Sequence, residues 1–348
     1  MGESSKATST EELNSRRKMH PVKAPGQSNS PIPIRIAQRI ARVAYLIWEF
    51  TESNFSTFVI PNTAFGILGA FAASVLVEGS NGHPSIMEVF QRFPLVIAFN
   101  WHNVLIFDLA NQRSPESIQE DILNKPWRPI PTGKVTADQT RRSMLVAIPS
   151  VLMLNYALGV WRQGVFIQIL TWLYNDLRGG DEVIRDLIIS IAYGMFNSGS
   201  LQIAVGYQAH ISRGGIIWTS IISGVILTTM QVQDLKDQAG DSSRGRQTMA
   251  LFLGDYVSRL CIAFFVVVWS IVCAYFWSLD ALVYAVPVVP AAVVVLRVLL
   301  MRKPQEDSAT WRWWCLWTIT LYALPLTSQV RGWTAILPTL LDDAAASS

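Results

Sequence analysis

The run Gln233-Asp234-Leu235-Lys236-Asp237-Gln238-Ala239-Gly240-Asp241 follows directly on an apolar stretch over residues 214–234. Its three aspartates are spaced by three and then four residues, the interval that places side chains on one face of a helix. Three carboxylates stacked in this way repel one another unless a cation sits among them. Hard oxygen donors suit Mg2+, which tends to bridge a few carboxylates to a substrate phosphate. Lys236, Arg244 and Arg246 lie within or just after the run, and such side chains grip phosphate oxygens. Charges at the edge of an apolar span are expensive to place there, so the cluster marks a functional site.

Outward from this run, nine segments are apolar enough to span a bilayer: 57–79, 93–113, 141–161, 163–178, 184–206, 214–234, 257–278, 281–301 and 311–330. The fourth is short against the ~20 residues a span needs, and eight to ten spans would be compatible with the pattern. The 348 residues are 51% apolar and only 15% Asp, Glu, Lys or Arg, where a soluble chain carries about 25% charged residues. A disordered chain, which needs low hydrophobicity and high net charge, is excluded. The net charge of +3 gives no footing for nucleic-acid binding. Cys261, Cys273 and Cys315 all fall inside apolar runs and read as small core hydrophobes rather than a disulfide framework. The fold class is therefore all-α: a polytopic membrane protein of about nine transmembrane helices.

Assigned to their nearest helix ends, 24 of the 28 Lys and Arg residues fall on the side that holds the N-terminus. By the positive-inside bias that side is cytosolic. Residues 1–33, rich in Ser, Lys, Glu and Pro, read as a disordered cytosolic tail with no signal peptide, which points to the endoplasmic reticulum. Residues 34–52 repeat apolar residues at helical spacing, with Arg35, Arg39 and Arg42 on the polar side. They read as an amphipathic helix lying on the cytosolic leaflet, ahead of a transmembrane domain over 53–340.

A second polar cluster closes the second span: Asn103, Asp108, Asn111 and Gln112, then Glu116, Glu120 and Asp121. Alone it reads equally well as a polar patch at a helix C-terminus. It gains weight because both clusters end even-numbered spans and so face one compartment. The following stretch, Asn124-Lys125-Pro126-Trp127-Arg128-Pro129-Ile130-Pro131-Thr132-Gly133, has three prolines and cannot be helical throughout. It is a stiff loop that holds Lys125 and Arg128 at the membrane surface. Asn100, His102 and Asn103 sit deep in the second span and are expected to face the bundle interior, where one of them could bind an acceptor or take a proton.

Acidic clusters ending the second and sixth spans, the proline loop after the first of them, and Asp234-xx-Asp237-xxx-Asp241 followed by Gly245-Arg246 together resemble the UbiA superfamily of membrane prenyltransferases over roughly residues 55–330. The resemblance implies a cytosol-facing site for an isoprenyl diphosphate, bound through Mg2+ held by both clusters and ionised to an allylic carbocation. It further implies that Asp108 ligates metal with help from Asn111 and Gln112. Asp234, Asp237 and Asp241 would hold metal from the other side. Lys125, Arg128 and Lys236 would bind diphosphate oxygens, joined by Asp121.

The usual first motif of that superfamily resembles Asn-Asp-x-x-Asp-x-x-x-Asp. Aligned on Asp108, its opening pair is here Val104-Leu105 and its last Asp is Gln112, so two carboxylates are missing. The string Phe107-Asp108-Leu109-Ala110-Asn111-Gln112, with the loop after it, resembles instead a fungal branch of UbiA-type terpene cyclases. That resemblance implies closure of a linear prenyl diphosphate, farnesyl above all, to a sesquiterpene hydrocarbon; the alternative is prenyl transfer to an aromatic or other acceptor. A transporter or silent scaffold fits less well, because the polar clusters lie at the edge rather than the midplane. A cyclase needs a dry, aromatic-lined cavity, since ring faces stabilise a migrating cation and water quenches it. Phe99, Trp101, Phe107, Tyr193, Phe196 and Trp218 are the candidate lining aromatics.

Overall fold

The computed structural model describes residues 32–79, 84–206 and 209–327. Nearly all of the expected N-terminal tail, and the chain beyond 327, lie outside the described residues. The chain divides into two compact units, residues 1–45 and 46–348. In the first, the described residues open helix α1 (Ile32–Asn54). Arg35, Arg39 and Arg42 follow one stripe of this helix and Ile36, Ile40 and Val43 another, both at i, i+4, i+7 spacing, and the apolar stripe is exposed.

The second unit is a helical bundle. The end of α1 runs on through a π-helical turn, Phe55–Val59, into α2 (Ile60–Phe71). Pro61 explains the widened turn: it has no N–H to give the carbonyl of Thr57, and its ring pushes that turn open. A short α3 (Ala73–Leu76) leads to β1 (Val77–Glu78), which pairs antiparallel with β2 (His210–Ile211). Helix α4 (Ile86–Gln112) starts at a capping box made by Ser85 and Glu88, which satisfies the first free N–H groups. It is followed by α5 (Pro115–Asn124), α6 (Ala137–Ala157), α7 (Trp161–Asn175), α8 (Arg185–Val205) and α9 (Arg213–Thr229). A 3-10 turn, Met230–Lys236, prolongs α9, and α10 (Gln238–Arg244) and α11 (Met249–Phe252) follow. Helices α12 (Asp255–Phe276), α13 (Ala281–Leu300) and α14 (Pro304–Tyr322) complete the bundle.

Among the described residues five helices are long and apolar enough to cross a membrane, and the first of the nine expected segments, 57–79, is divided among the π-helical turn, α2, α3 and β1. Buried polar side chains tie the bundle together, as expected where apolar contact alone gives little drive between helices. Asn100 Nδ2 donates to Thr63 Oγ1 at 3.1 Å and Ser200 Oγ at 2.9 Å, joining α4 to α2 and α8. Asn103 and Asn155 exchange two amide hydrogen bonds of 3.0 Å, and Gln168 donates to Asn103 Oδ1. Asn100 and Asn103 thus face the interior as expected, but their polar atoms hold helices together. His102 does not follow the expectation. It is exposed, with its Nδ1 2.7 Å from the Ala98 carbonyl oxygen.

Candidate active site

One end of the bundle gathers the termini of five helices around a cavity. The C-terminal ends of α4 and α7, the N-terminal ends of α8 and α14, and the 3-10 turn after α9 all open onto it, with α5, α10 and the proline loop beside them. Its deeper wall is apolar, with Phe58, Val104, Phe107, Ile167, Leu170, Ile188, Ala192 and Phe196. Its rim carries four carboxylates, Glu120, Asp234, Asp237 and Asp241, and five cations, Lys125, Arg128, Arg185, Lys236 and Arg246.

The aspartates do not lie along one α-helix face, as their spacing predicts. Residues 230–236 form a 3-10 turn, Asp237 sits at a junction with φ −103° and ψ 4°, and α10 begins only at Gln238. All three nevertheless line the cavity, because three residues per turn keeps Asp234 and Asp237 in register and the amide of Asp241 bonds the Asp237 carbonyl. Each already has a cationic partner. Arg185 takes both oxygens of Asp234, Nη1 to Oδ2 at 2.7 Å and Nη2 to Oδ1 at 2.8 Å. The same guanidinium also donates to Asp186 and to the Tyr174 hydroxyl. Lys236 pairs with Asp237, and Arg246 lies 3.4 Å from Asp241. Arg246 and Arg244 share Glu120, and Arg244 reaches Asp181 at 2.8 Å, which clamps α10 against α5.

Charge around the rim is tuned by burial. Burial pushes the Asp241 carboxyl up to about 6 against the pull of Arg246 and Arg185. Burial works on Asp237 as well, but the ammonium groups of Lys125 and Lys236 beside it hold its carboxyl below the ordinary value. Lys125 is pushed down to about 8, first by burial and then by the neighbouring Arg128. Among the described residues Lys125 makes no ion pair, whereas Arg128 is committed to Asp121 at 2.8 and 3.0 Å. Lys125 is therefore the rim cation most open to an incoming anion.

On the α4 side, Asn111 lines the cavity, whereas Asp108 is fully buried one turn before it and is not among the lining residues. Its Oδ1 accepts from Asn54 Nδ2 at 2.6 Å, while Oδ2 has no partner, and neither has Asn111 Oδ1 one turn on. Two buried acceptors without a hydrogen-bond partner, on one helix face, are of the oxygen type a hard divalent cation takes. Among the described residues no three His, Cys, Asp or Glu side chains converge on one point. A metal here would draw the rest of its shell from water and ligand oxygens, as Mg2+ commonly does. Gln112 departs from the role its sequence position implies. Its Nε2 donates to the Phe50 carbonyl at 2.8 Å, so it faces α1 and does not line the cavity. Asp121 likewise lies behind the wall, paired with Arg128.

Of the six candidate aromatics, Phe107 and Phe196 line the cavity. Phe99 sits behind Phe196 at 6.0 Å and Tyr193 packs on Phe58 at 4.5 Å. Trp101 donates to Thr51, and Trp218 stacks on Phe276 and meets Trp277 edge to face, away from the cavity. The lining residues that spacing does not single out are Asn54, Phe58, Tyr174, Arg185 and Trp311. Arg185 alone carried a readable signal, as a cation inside the apolar segment 184–206.

The sequence profile of the UbiA prenyltransferase family matches residues 105–322. The chain belongs to that family. Like its relatives, this UbiA protein is an enzyme of the membrane. It is 27% identical over 255 residues to the fumagillin beta-trans-bergamotene synthase of Aspergillus fumigatus, covering 69% of this chain and 83% of the synthase. It is 25% identical over 241 residues to a polyprenyl transferase of Hericium erinaceus, covering 65% of this chain and 74% of the transferase. The structure of a UbiA homologue from Archaeoglobus fulgidus bound to GPP and Mg2+ shares the fold, with a TM-score of 0.54 at 12% identity over 80% of this chain and 99% of that one.

Proposed function

We propose that this UbiA enzyme ionises a linear prenyl diphosphate, farnesyl diphosphate foremost, and closes the carbocation on the substrate's own double bonds to a terpene hydrocarbon. The observation that carries the reading is the division of the cavity. A rim of paired charges lies above an apolar, aromatic wall, and the polar residues of the second span that could have held an acceptor are spent elsewhere. Asn100 and Asn103 bind other helices, and His102 is exposed. A cation released against Phe107 and Phe196 meets ring faces and alkenes instead of a nucleophile.

In this reading Lys125, with Lys236 and Arg128 behind it, takes the diphosphate oxygens. Asp108 and Asn111 offer their open oxygens to Mg2+ from α4, and Asp237 and Asp241 do so from the opposite wall. Asp234, held by Arg185, fixes the geometry of that wall. Mg2+ held there would supply positive charge against the diphosphate as it leaves. The relatives named a synthase and a transferase, and the neighbour bound to GPP and Mg2+, support the substrate class. The two stripes of α1 support an interfacial helix, and the bias of basic residues supports a site on the cytosolic face of the endoplasmic reticulum.

Prenyl transfer to an acceptor is the second reading, favoured by the similarity to the polyprenyl transferase. Membranes holding the enzyme, given Mg2+ and farnesyl diphosphate without an acceptor, separate the two. A cyclic C15 hydrocarbon in the hexane extract, lost on adding EDTA, is the expected result. No hydrocarbon from farnesyl or longer diphosphates would overturn the cyclase reading in favour of transfer.

A further inference from the structure

A second cleft lies beside the cavity, between the π-helical turn and the start of α14. It is lined by Ser53, Ser56 and Thr57 on one side, by Gln305, Ser308 and Arg312 on the other, and by Asn124 and Trp127 of the proline loop. Unlike the inner cavity, it has no run of aliphatic residues. Four residues line both spaces: Lys125, Lys236, Asp237 and Trp311. Three of these are charged groups of the rim. Trp311 is the only apolar body among them.

Trp311 is held as a partition. Lys236 Nζ lies 4.9 Å from its ring centroid, a cation–π contact that ties the indole to the same ammonium that pairs with Asp237. The rest of the ring packs on the main hydrophobic cluster of the bundle. Its Nε1 is buried without a hydrogen-bond partner. The indole stands at the boundary between a polar cleft and an apolar cavity.

We infer that Trp311 determines what quenches the carbocation, by shutting the polar cleft off from the apolar cavity. The inference rests on the ionisation reading above. With the ring in place, ionisation breaks the allylic C–O bond and diphosphate leaves with the electron pair. An alkene π pair of the substrate then forms the new C–C bond, and loss of a proton to the diphosphate restores a double bond. With the ring removed, water from the cleft reaches the cation. Its oxygen forms a C–O bond, the extra proton passes to the diphosphate, and the product is a terpene alcohol.

The test compares Trp311→Ala and Trp311→Phe with the wild type in membranes, using farnesyl diphosphate, Mg2+ and 18O-labelled water. The expected result is at least a tenfold rise in the ratio of 18O-labelled alcohol to hydrocarbon for Trp311→Ala, and little change for Trp311→Phe, which keeps a ring. An unchanged ratio in Trp311→Ala overturns the partition while leaving ionisation standing. If the wild type forms neither product, the ionisation reading has failed and a second measurement decides the partition alone. A cysteine introduced deep in the inner cavity by Thr171→Cys should react several-fold faster with a water-soluble thiol reagent when Trp311 is Ala, and an equal rate overturns the inference. Cys273, fully buried on α12, stays unlabelled only in a folded variant. If it reacts in Trp311→Ala, Trp311→Leu takes that variant's place.

Discussion

Arg185 fills both oxygens of Asp234 across 49 residues of sequence, and both side chains are at least nine-tenths buried. Removing one partner of such a pair leaves an uncompensated buried charge, which costs about 3–5 kcal/mol, whereas replacing both with apolar groups of similar size is close to neutral. Arg185→Met is therefore expected to lose roughly that much in thermal unfolding. Arg185→Met combined with Asp234→Met should recover only part of the loss, because the buried Asp186 carboxylate that the same guanidinium holds stays uncompensated; full recovery would show that Asp186 needs no partner. Lys125 answers to pH instead. Burial and Arg128 lower its pKa to about 8, so the ammonium is present below that pH and lost as pH rises through it. The kcat/KM for the diphosphate should fall above pH 8, up to tenfold per unit, because that ratio reports the free enzyme. Lys125→Arg should abolish this limb, since a guanidinium stays protonated there; a fall that survives the substitution would move the titration to another group. The aspartates and Lys125 were legible in the sequence because their short spacing, and a loop stiffened by proline, are local signals. The pairing of Asp234 with Arg185 was not, since it depends on how α8 meets the turn after α9.

Element geometry explains the other departures. The interval of three and four residues from Asp234 to Asp241 describes an α-helix only if the backbone stays α-helical, and here it tightens to a 3-10 turn and breaks at Asp237. Helix packing sets a comparable constraint on α8. A Cβ at Gly66 would stand 2.6 Å from backbone atoms of Ser200, and one at Gly199 would stand 2.5 Å from the Phe99 ring. The first obstacle is backbone and cannot yield; the second is a side chain leaning on Phe196 of the cavity wall. Overpacking of this kind costs about 1–3 kcal/mol, or more where nothing can move. Gly66→Ala is thus expected to lower the unfolding temperature more than Gly199→Ala does. Gly199→Ala should instead push Phe99 against Phe196 and change the ratio of products. Equal destabilisation by the two, with an unaltered product ratio, would contradict this division of labour. Nothing in the spacing of apolar residues reveals such a close approach, because the sequence shows where a glycine is and not what crosses it.

At the scale of the whole molecule, every polar cluster of the site lies at helix ends that alternate in chain direction: the C-terminal ends of α4 and α7, the N-terminal ends of α8 and α14, and the turn closing α9. In a bundle whose successive helices cross a bilayer, those ends belong to one face. The nine apolar segments expected from the sequence and the 24 of 28 basic residues assigned to the side of the N-terminus support the proposal that this face is cytosolic, because the positive-inside bias acts on loops and not on tertiary packing. A charge count of this kind makes a prediction about topology that the site itself does not enter. An insert carrying a glycosylation acceptor after Gly82, between the first two spans, should be modified in the lumen of the endoplasmic reticulum. The same insert at the N-terminus should stay unmodified, as a mobility shift sensitive to endoglycosidase would show. The reverse pattern would turn the diphosphate site to the lumen, away from the cytosolic prenyl diphosphates it is proposed to use.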